Sequence, residues 1–232
     1  MIAEGMSEED ARKRCWLVDS KGLVVKSRLA ELQHHKLAYA HDHEPMTSFI
    51  DIIKSIRPTG IIGVSAQPRV FNKVVVELMT EINPRPIVFP LSNPTHLAEC
   101  TAEEAFNWTN GQVLFASGSP FDPVTVNGKV HVPGQGNNAY IFPGVGLGVV
   151  VAGLKHVTDD MMRIAARTLS EQVSPSDVAS SCLYPPLSSI RSVSSKIAIA
   201  VAKEGYEKGL ATKPKPADLA AAVEAAMYCP GS

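Results

Sequence analysis

Leu91-Ser92-Asn93-Pro94-Thr95 ends an apolar run that begins at Pro86. Phe115-Ala116-Ser117-Gly118-Ser119-Pro120-Phe121 ends a second run, and Gly134-Gln135-Gly136-Asn137-Asn138 leads into Ala139-Tyr140-Ile141-Phe142-Pro143-Gly144. Each reads as a hydrophobic strand or turn that finishes in small polar residues. The neutral amides Asn93, Asn137 and Asn138 donate and accept hydrogen bonds without carrying charge. That chemistry suits a pocket holding a small carboxylate beside a cofactor. Asn and Gly are also ordinary turn residues, and any one of these asparagines taken alone reads as a turn. Their shared context is what points to a site.

Working outward, residues 86–91 read as a strand that delivers Asn93 at its C-terminal end. Residues 113–116 form a strand ending at Ser117-Gly118, and 61–64 form another. Helical patterns alternate with them. Residues 49–56 place Phe49, Ile52, Ile53 and Ile56 on one face. Asn72 caps a helix over 72–81, and Thr101 with Glu104 forms a capping box for the next. This alternation predicts an α/β fold with a Rossmann-like, doubly wound parallel sheet. Ligands in such sheets bind outside the carboxyl ends of the strands.

Residues 125–130, with Asn127-Gly128 at their centre, predict a hairpin. Gly144, Gly146 and Gly148 are spaced GxGxG rather than GxGxxG, so close helix packing is the expected reason for them. From Thr158 the pattern is helical, with helices at 159–173, at 190–208 (ended by Gly209) and at 217–227. The expected division is a partial dinucleotide-binding domain over 1–157 and a helical part over 158–232 packed on the same domain.

Near the N-terminus, Ser7 caps a helix that ends near Arg14. Residues 15–18 are a short apolar run that suits a buried parallel strand, and Asp19 follows. In dinucleotide-binding folds an acid at such a strand end bonds the adenosine ribose, and nearby cations accept a 2′-phosphate instead. By position alone, Asp19-Ser20-Lys21-Gly22 reads first as a solvated turn. The glycine-rich turn that should precede the acid by about 20 residues is missing. The expectation is a chain that starts inside the nucleotide-binding domain, without its first strand and phosphate loop, Met1 not being the natural start. His34, His35, His41 and His43 form a loose cluster with no carboxylate or Cys at ligand spacing, so a surface loop is expected rather than a metal site.

Across 232 residues, 45% are hydrophobic and 19% charged, as in ordinary soluble proteins. A net charge of −1 gives no broad attraction to nucleic acid or to an anionic membrane. No apolar run has the length to span a bilayer. Residues 1–14 lack the basic start and apolar core of a secretory signal. Cys15, Cys100, Cys182 and Cys229 form no CxxC pair, which fits thiols in a reducing compartment. The expected location is intracellular, either cytoplasmic or in an organelle (plastid or mitochondrion).

The strings LSNPT, AECTAEEA, LFASGSPFDPV and PGQGNNAYIFPG, in this order, closely resemble the malic enzymes, and the resemblance runs from Trp16 to Tyr228. It implies the C-terminal, cofactor-binding part of an enzyme that oxidatively decarboxylates malate to pyruvate and carbon dioxide. NADP is the implied hydride acceptor, with NAD as the alternative. In the complete enzyme Mg²⁺ or Mn²⁺ polarises the substrate oxygens. The resemblance implies Asn93 and Asn138 as amides contacting malate and the nicotinamide side, with Asn137 as a further candidate. It implies Asp19, Ser20, Lys21 and Lys36 at the adenosine-phosphate end, and Gly118 as a point of close backbone approach to the cofactor. Lys36 matches a position where NADP-using members carry a lysine for the 2′-phosphate, a role that suits a compact ammonium.

The family's general-base lysine, acid tyrosine and acidic metal ligands belong to an upstream region whose motifs nothing here matches. No catalytic or metal-ligating residue is therefore expected in this chain. Alone it is expected to be inactive, at most a nucleotide-binding or subunit-interaction module; the complete enzyme is expected to be a homo-oligomer. Ala66-Gln67-Pro68 departs from the glycine-rich turn usual in malic enzymes. Glycine permits close approach and proline removes a donor, so the departure bears on cofactor contact more than on fold. Composition and periodicity by themselves leave other Rossmann dehydrogenases open; LSNPT and GQGNN argue against them by resemblance.

Overall fold

The computed structural model describes residues 1–229 of the chain. In chain order the elements are α1 (Glu8–Lys13), β1 (Val18–Asp19), β2 (Gly22–Leu23), α2 (His34–Leu37), α3 (Phe49–Ile56), β3 (Gly60–Gly63), α4 (Lys73–Ile82) and β4 (Ile87–Pro90). Then come α5 (Ala102–Trp108), β5 (Leu114–Ser117), β6 (Val124–Val126), β7 (Lys129–His131), β8 (Gly134–Gln135) and α6 (Phe142–Ala152). The C-terminal part holds α7 (Asp159–Ser170), α8 (Pro175–Ala179), α9 (Ile190–Glu207) and α10 (Leu219–Ala226).

Helix starts follow the expected local chemistry. The side chains of Ser7, Ser48, Asn72 and Thr158 accept backbone N–H groups at their helix N-termini, and Thr101 and Glu104 form the reciprocal capping box. Each such cap is worth about 1 kcal/mol. Asn127 and Gly128 take φ of 51° and 77°, the paired left-handed conformation of a two-residue hairpin turn between β6 and β7.

β3, β4, β5 and β8 form one parallel sheet in that order, a Rossmann-like arrangement. Strand alternation decides what is buried. Ile61, Val88 and Phe115 enter a core with Val75, Val76 and Met79 of α4 and Ala105 and Phe106 of α5. Ile62, on the other side of the edge strand β3, is 62% exposed, and Val64 just beyond it is 76% exposed.

A second, helical core joins α6, α7 and α9 through Val145, Ala152, Met161, Ala165, Val193, Ile197 and Val201. The glycines of α6 act as the sequence predicts. A Cβ on Gly144 would lie 2.7 Å from Ile197 Cβ, and one on Gly148 would lie 2.9 Å from the Ala198 carbonyl oxygen. A mid-helix glycine costs roughly 0.5–1 kcal/mol relative to alanine; here it lets α6 and α9 approach.

The structure corrects one element. Residues 15–18 do not enter the parallel sheet. Val18 and Asp19 pair antiparallel with Leu23 and Gly22. The cause is local: the Lys21 amide donates to Asp19 Oδ1 at 3.0 Å, so Asp19 closes its own turn and folds the chain back at once. Trp16 and Leu23 then pack with Val25 and Ile52 of α3. At β8 the strand-or-turn reading resolves to a strand: Gly134-Gln135 is hydrogen-bonded to β5 as a two-residue strand.

Candidate nucleotide and substrate site

Because β3, β4, β5 and β8 are parallel, their carboxyl ends share one side of the sheet. The segments leaving those ends carry the residues singled out by the sequence. β4 runs into Ser92 and Asn93, β5 into Gly118 and Ser119, and β8 into Asn137 and Asn138. The Asn93–Pro94 peptide is cis.

Asn93 and Gly118 are brought together. Asn93 Oδ1 accepts from Ser119 Oγ at 2.8 Å, and Asn93 Nδ2 donates to the Leu91 carbonyl at 3.4 Å. A Cβ on Gly118 would lie 2.2 Å from the Leu91 oxygen and 2.8 Å from Asn93 Nδ2. Glycine is therefore what allows the 91–93 segment to lie against the end of β5. Gln135 Nε2 donates to the Gly118 carbonyl at 3.3 Å, which ties the third strand end to the second. Asn137 is half-buried, and its Oδ1 accepts from the Ala139 amide at 2.9 Å as a cap for the turn Asn138–Tyr140. Asn138 is exposed.

The second group of residues gathers around Asp19. Its carboxylate accepts from Lys36 Nζ at 2.9 Å, from Arg28 Nη2 at 2.9 and 3.1 Å, and from the Lys21 amide. Burial pushes the Asp19 carboxyl up, but the hydrogen bonds from Lys36, Arg28 and the Lys21 amide, with the Arg28 charge, hold it down at about 2. Arg28 Nη1 also donates to the carbonyls of Gly22 and Leu23, at 3.1 and 2.9 Å. Two cations face one carboxylate, so the cluster is net positive. The Lys21 ammonium points elsewhere, to Glu31 at 2.7 Å, an exposed pair screened by solvent. Ser20 is exposed in the turn.

Of the histidines, His41 stacks on Trp16 with ring centroids 3.7 Å apart, and His43 meets the same ring edge-on at 5.7 Å while bonding Ser55 and the Glu44 carbonyl. Among the described residues, no group of three or more His, Cys, Asp or Glu side chains is arranged to hold a metal ion. No described helix is long and apolar enough to cross a membrane.

Two residues of this region escape a reading of the sequence. Arg28 lies nine positions after Asp19 in a segment without a motif. Glu99 is fully buried behind the ends of β3 and β4; its only sequence signal is a charge among Leu97, Ala98 and Cys100. In the loop after β3, Ala66 and Arg69 take φ of 52° and 62°. The backbone there takes the left-handed shape that favours glycine, at two residues that carry a Cβ.

The family model described as malic enzyme, NAD binding domain matches residues 1–206. The chain belongs to the malic enzyme family. It is 52% identical over 223 residues to a chloroplastic NADP-dependent malic enzyme of Oryza sativa subsp. japonica, covering 96% of this chain and 35% of that protein. It is 52% identical over 227 residues to the chloroplastic NADP-dependent malic enzyme of Solanum lycopersicum, covering 97% and 39%. The chain thus spans little more than a third of these relatives. The crystal structure of Entamoeba histolytica malic enzyme superposes with a TM-score of 0.70 at 20% identity, over 91% of this chain and 40% of that one. The malic enzyme of Pyrococcus horikoshii superposes with a TM-score of 0.64 at 21% identity, over 90% and 44%. These likenesses carry the fold. The family membership answers the question, left open by composition, of which Rossmann-like oxidoreductases this chain resembles.

Proposed function

We propose that this chain is the dinucleotide-binding part of an NADP-preferring malic enzyme. The reaction would be oxidation of malate and loss of carbon dioxide to give pyruvate. The observation that carries the reading is the convergence of Asn93, Gly118 and the Asn137-Asn138 segment at adjacent parallel strand ends, in a chain of this family. The NADP preference is supported by the net positive cluster of Lys36 and Arg28 around Asp19 and by the relatives' names. Ammonium and guanidinium groups match a phosphate.

When bound, the nicotinamide supplies the hydride acceptor. The chain's own residues orient the reactants. Asn93 and Asn138 offer amides to the substrate carboxylate and the nicotinamide side, with Asn137 shaping the turn between strand and site. Lys36 is positioned to leave Asp19 for the 2′-phosphate, with Ser20 and Lys21 beside it, while Asp19 turns to the ribose. Mg²⁺ or Mn²⁺ does not fit the side-chain clusters described here, so no step of this account passes through a metal on this chain. In this reading residues 1–157 form the cofactor-binding unit and 158–232 the helical part packed on it, of which 230–232 lie outside the described residues. A plastid is the compartment that the relatives' names support.

The test is a chimera in which this chain replaces the matching segment of the rice enzyme. Malate-dependent NADP reduction, with NAD used far less well, is the expected result. A folded chimera that oxidises no malate contradicts the reading. The 232-residue chain alone is expected to be inactive with malate, NADP and Mn²⁺; steady NADPH production from it would contradict that part.

A further inference from the structure

Glu99 has no place in the account above, yet its side chain is fully buried at the strand ends. Space for it exists because β3 ends in glycine: a Cβ on Gly63 would lie 2.3 Å from Glu99 Cδ. The carboxylate receives three donors. Ser65 N–H donates to Oε1 at 3.4 Å, Ser92 N–H donates to Oε2 at 3.4 Å, and the Ser92 hydroxyl donates to Oε1. Ser92 spends its one hydroxyl proton on Glu99 and accepts, on the same oxygen, the Ala66 N–H at 2.9 Å. The main chain adds a further tie, since the Phe71 amide donates to the Glu99 carbonyl at 3.1 Å and the Arg69 amide to the Ala98 carbonyl at 3.3 Å.

One buried side chain thus grips two loops: the one after β3, which holds the left-handed Ala66 and Arg69, and the one after β4, which carries Asn93. We propose that Glu99 is a positioning residue that locks these two loops in register through Ser92, and so sets Asn93 against the β3 loop for dinucleotide binding. The binding half of this proposal rests on the functional reading above. A carboxylate suits the task because it only accepts. Glutamine has the same shape but one acceptor oxygen, and its NH2 would face N–H groups that need an acceptor. Aspartate is one methylene too short to span from its backbone to both loops.

Amide hydrogen exchange resolved by NMR on the 232-residue chain tests the lock without any ligand. For Glu99→Gln we expect exchange at Ser65, Ala66 and Ser92 to accelerate by about tenfold or more, with the amides of α4 and α5 unchanged. Ser92→Ala, a smaller change, is expected to free the Ala66 amide while Ser65 stays protected. Wild-type protection at these amides in both variants overturns the proposal. So does Ser92→Ala exchange that rises equally at Ala66 and throughout α4, the result that would decide the matter if Glu99→Gln failed to fold. NADP titration of the same proteins tests the consequence: Glu99→Gln should weaken binding by about tenfold. Opened loops with unchanged NADP affinity overturn the positioning role. A wild-type chain that binds no dinucleotide contradicts the functional reading instead, and the lock is then decided by the exchange rates.

Discussion

Lys36 Nζ lies 2.9 Å from Asp19 Oδ2, so the two residues singled out for the ribose and the 2′-phosphate at the adenosine end are already paired with each other. Arg28 holds Asp19 from a second direction at 2.9 Å. The acid is therefore kept charged and oriented while the ammonium waits on a partner that a phosphate can replace.

Lys36→Gln should accordingly weaken NADP far more than NAD. Loss of a charged contact to phosphate is worth roughly 1.5–3 kcal/mol, which is about 10- to 150-fold in affinity. Dissociation constants for both dinucleotides, measured on the wild type and the variant, check this. Equal losses for the two would make Lys36 a structural partner of Asp19 and nothing more.

The same cluster predicts a pH dependence of stability. Asp19 is held at about 2 in the folded chain, against about 3.9 when unfolded. A depressed carboxyl contributes stability that is complete above the unfolded value and lost as pH falls through the folded one. The stabilisation, about 2 kcal/mol at neutral pH, should therefore fade between about pH 4 and pH 2. Denaturant unfolding of the wild type and Asp19→Asn across that range checks it. The difference between them should be constant above about pH 5 and shrink toward pH 2; a gap that does not change with pH would count against the linkage.

Ala66 occupies a left-handed backbone conformation. An L-residue pays about 1–2 kcal/mol there, and glycine loses about 0.5–1 kcal/mol to extra unfolded-state freedom. Ala66→Gly should therefore leave stability unchanged or raise it by up to about 1.5 kcal/mol. A clear loss in thermal midpoint would mean that the loop does not adopt this shape in solution.

Gly148→Val probes the contact between α6 and α9. The new side chain meets Ala198 O at 2.9 Å and Val201 Cβ at 3.1 Å, so the helices must part. Overpacking of this kind costs roughly 1–3 kcal/mol. Gly146→Ala is the control, because a Cβ there meets nothing within 4 Å; it should be neutral or slightly stabilising. Equal effects at both positions would deny the close approach.

The sequence makes legible what is decided within a few residues. Ser7, Asn72 and Thr101 announce their helices because a cap bonds an amide two or three positions away. Asn127-Gly128 announces its hairpin for the same reason, and the amphipathic face of 49–56 announces the core side. What is hidden depends on distant partners. Residues 15–18 look like a sheet strand because a short apolar run does not say which neighbour it pairs with; the Asp19 turn decides it. Gly134-Gln135 is too short a strand to carry a period. Glu99 meets Ser65 across 34 positions, and no local pattern foretells that. Asn93 and Gly118 stand out separately in the sequence, while their mutual contact needs β4 and β5 side by side.

The most direct test of the central claim is calorimetric titration of the 232-residue chain with NADP and with NAD. Saturable binding of NADP, at least about tenfold tighter than NAD and weakened by Lys36→Gln, is the predicted result. A folded chain that binds both dinucleotides equally, or neither, would contradict it.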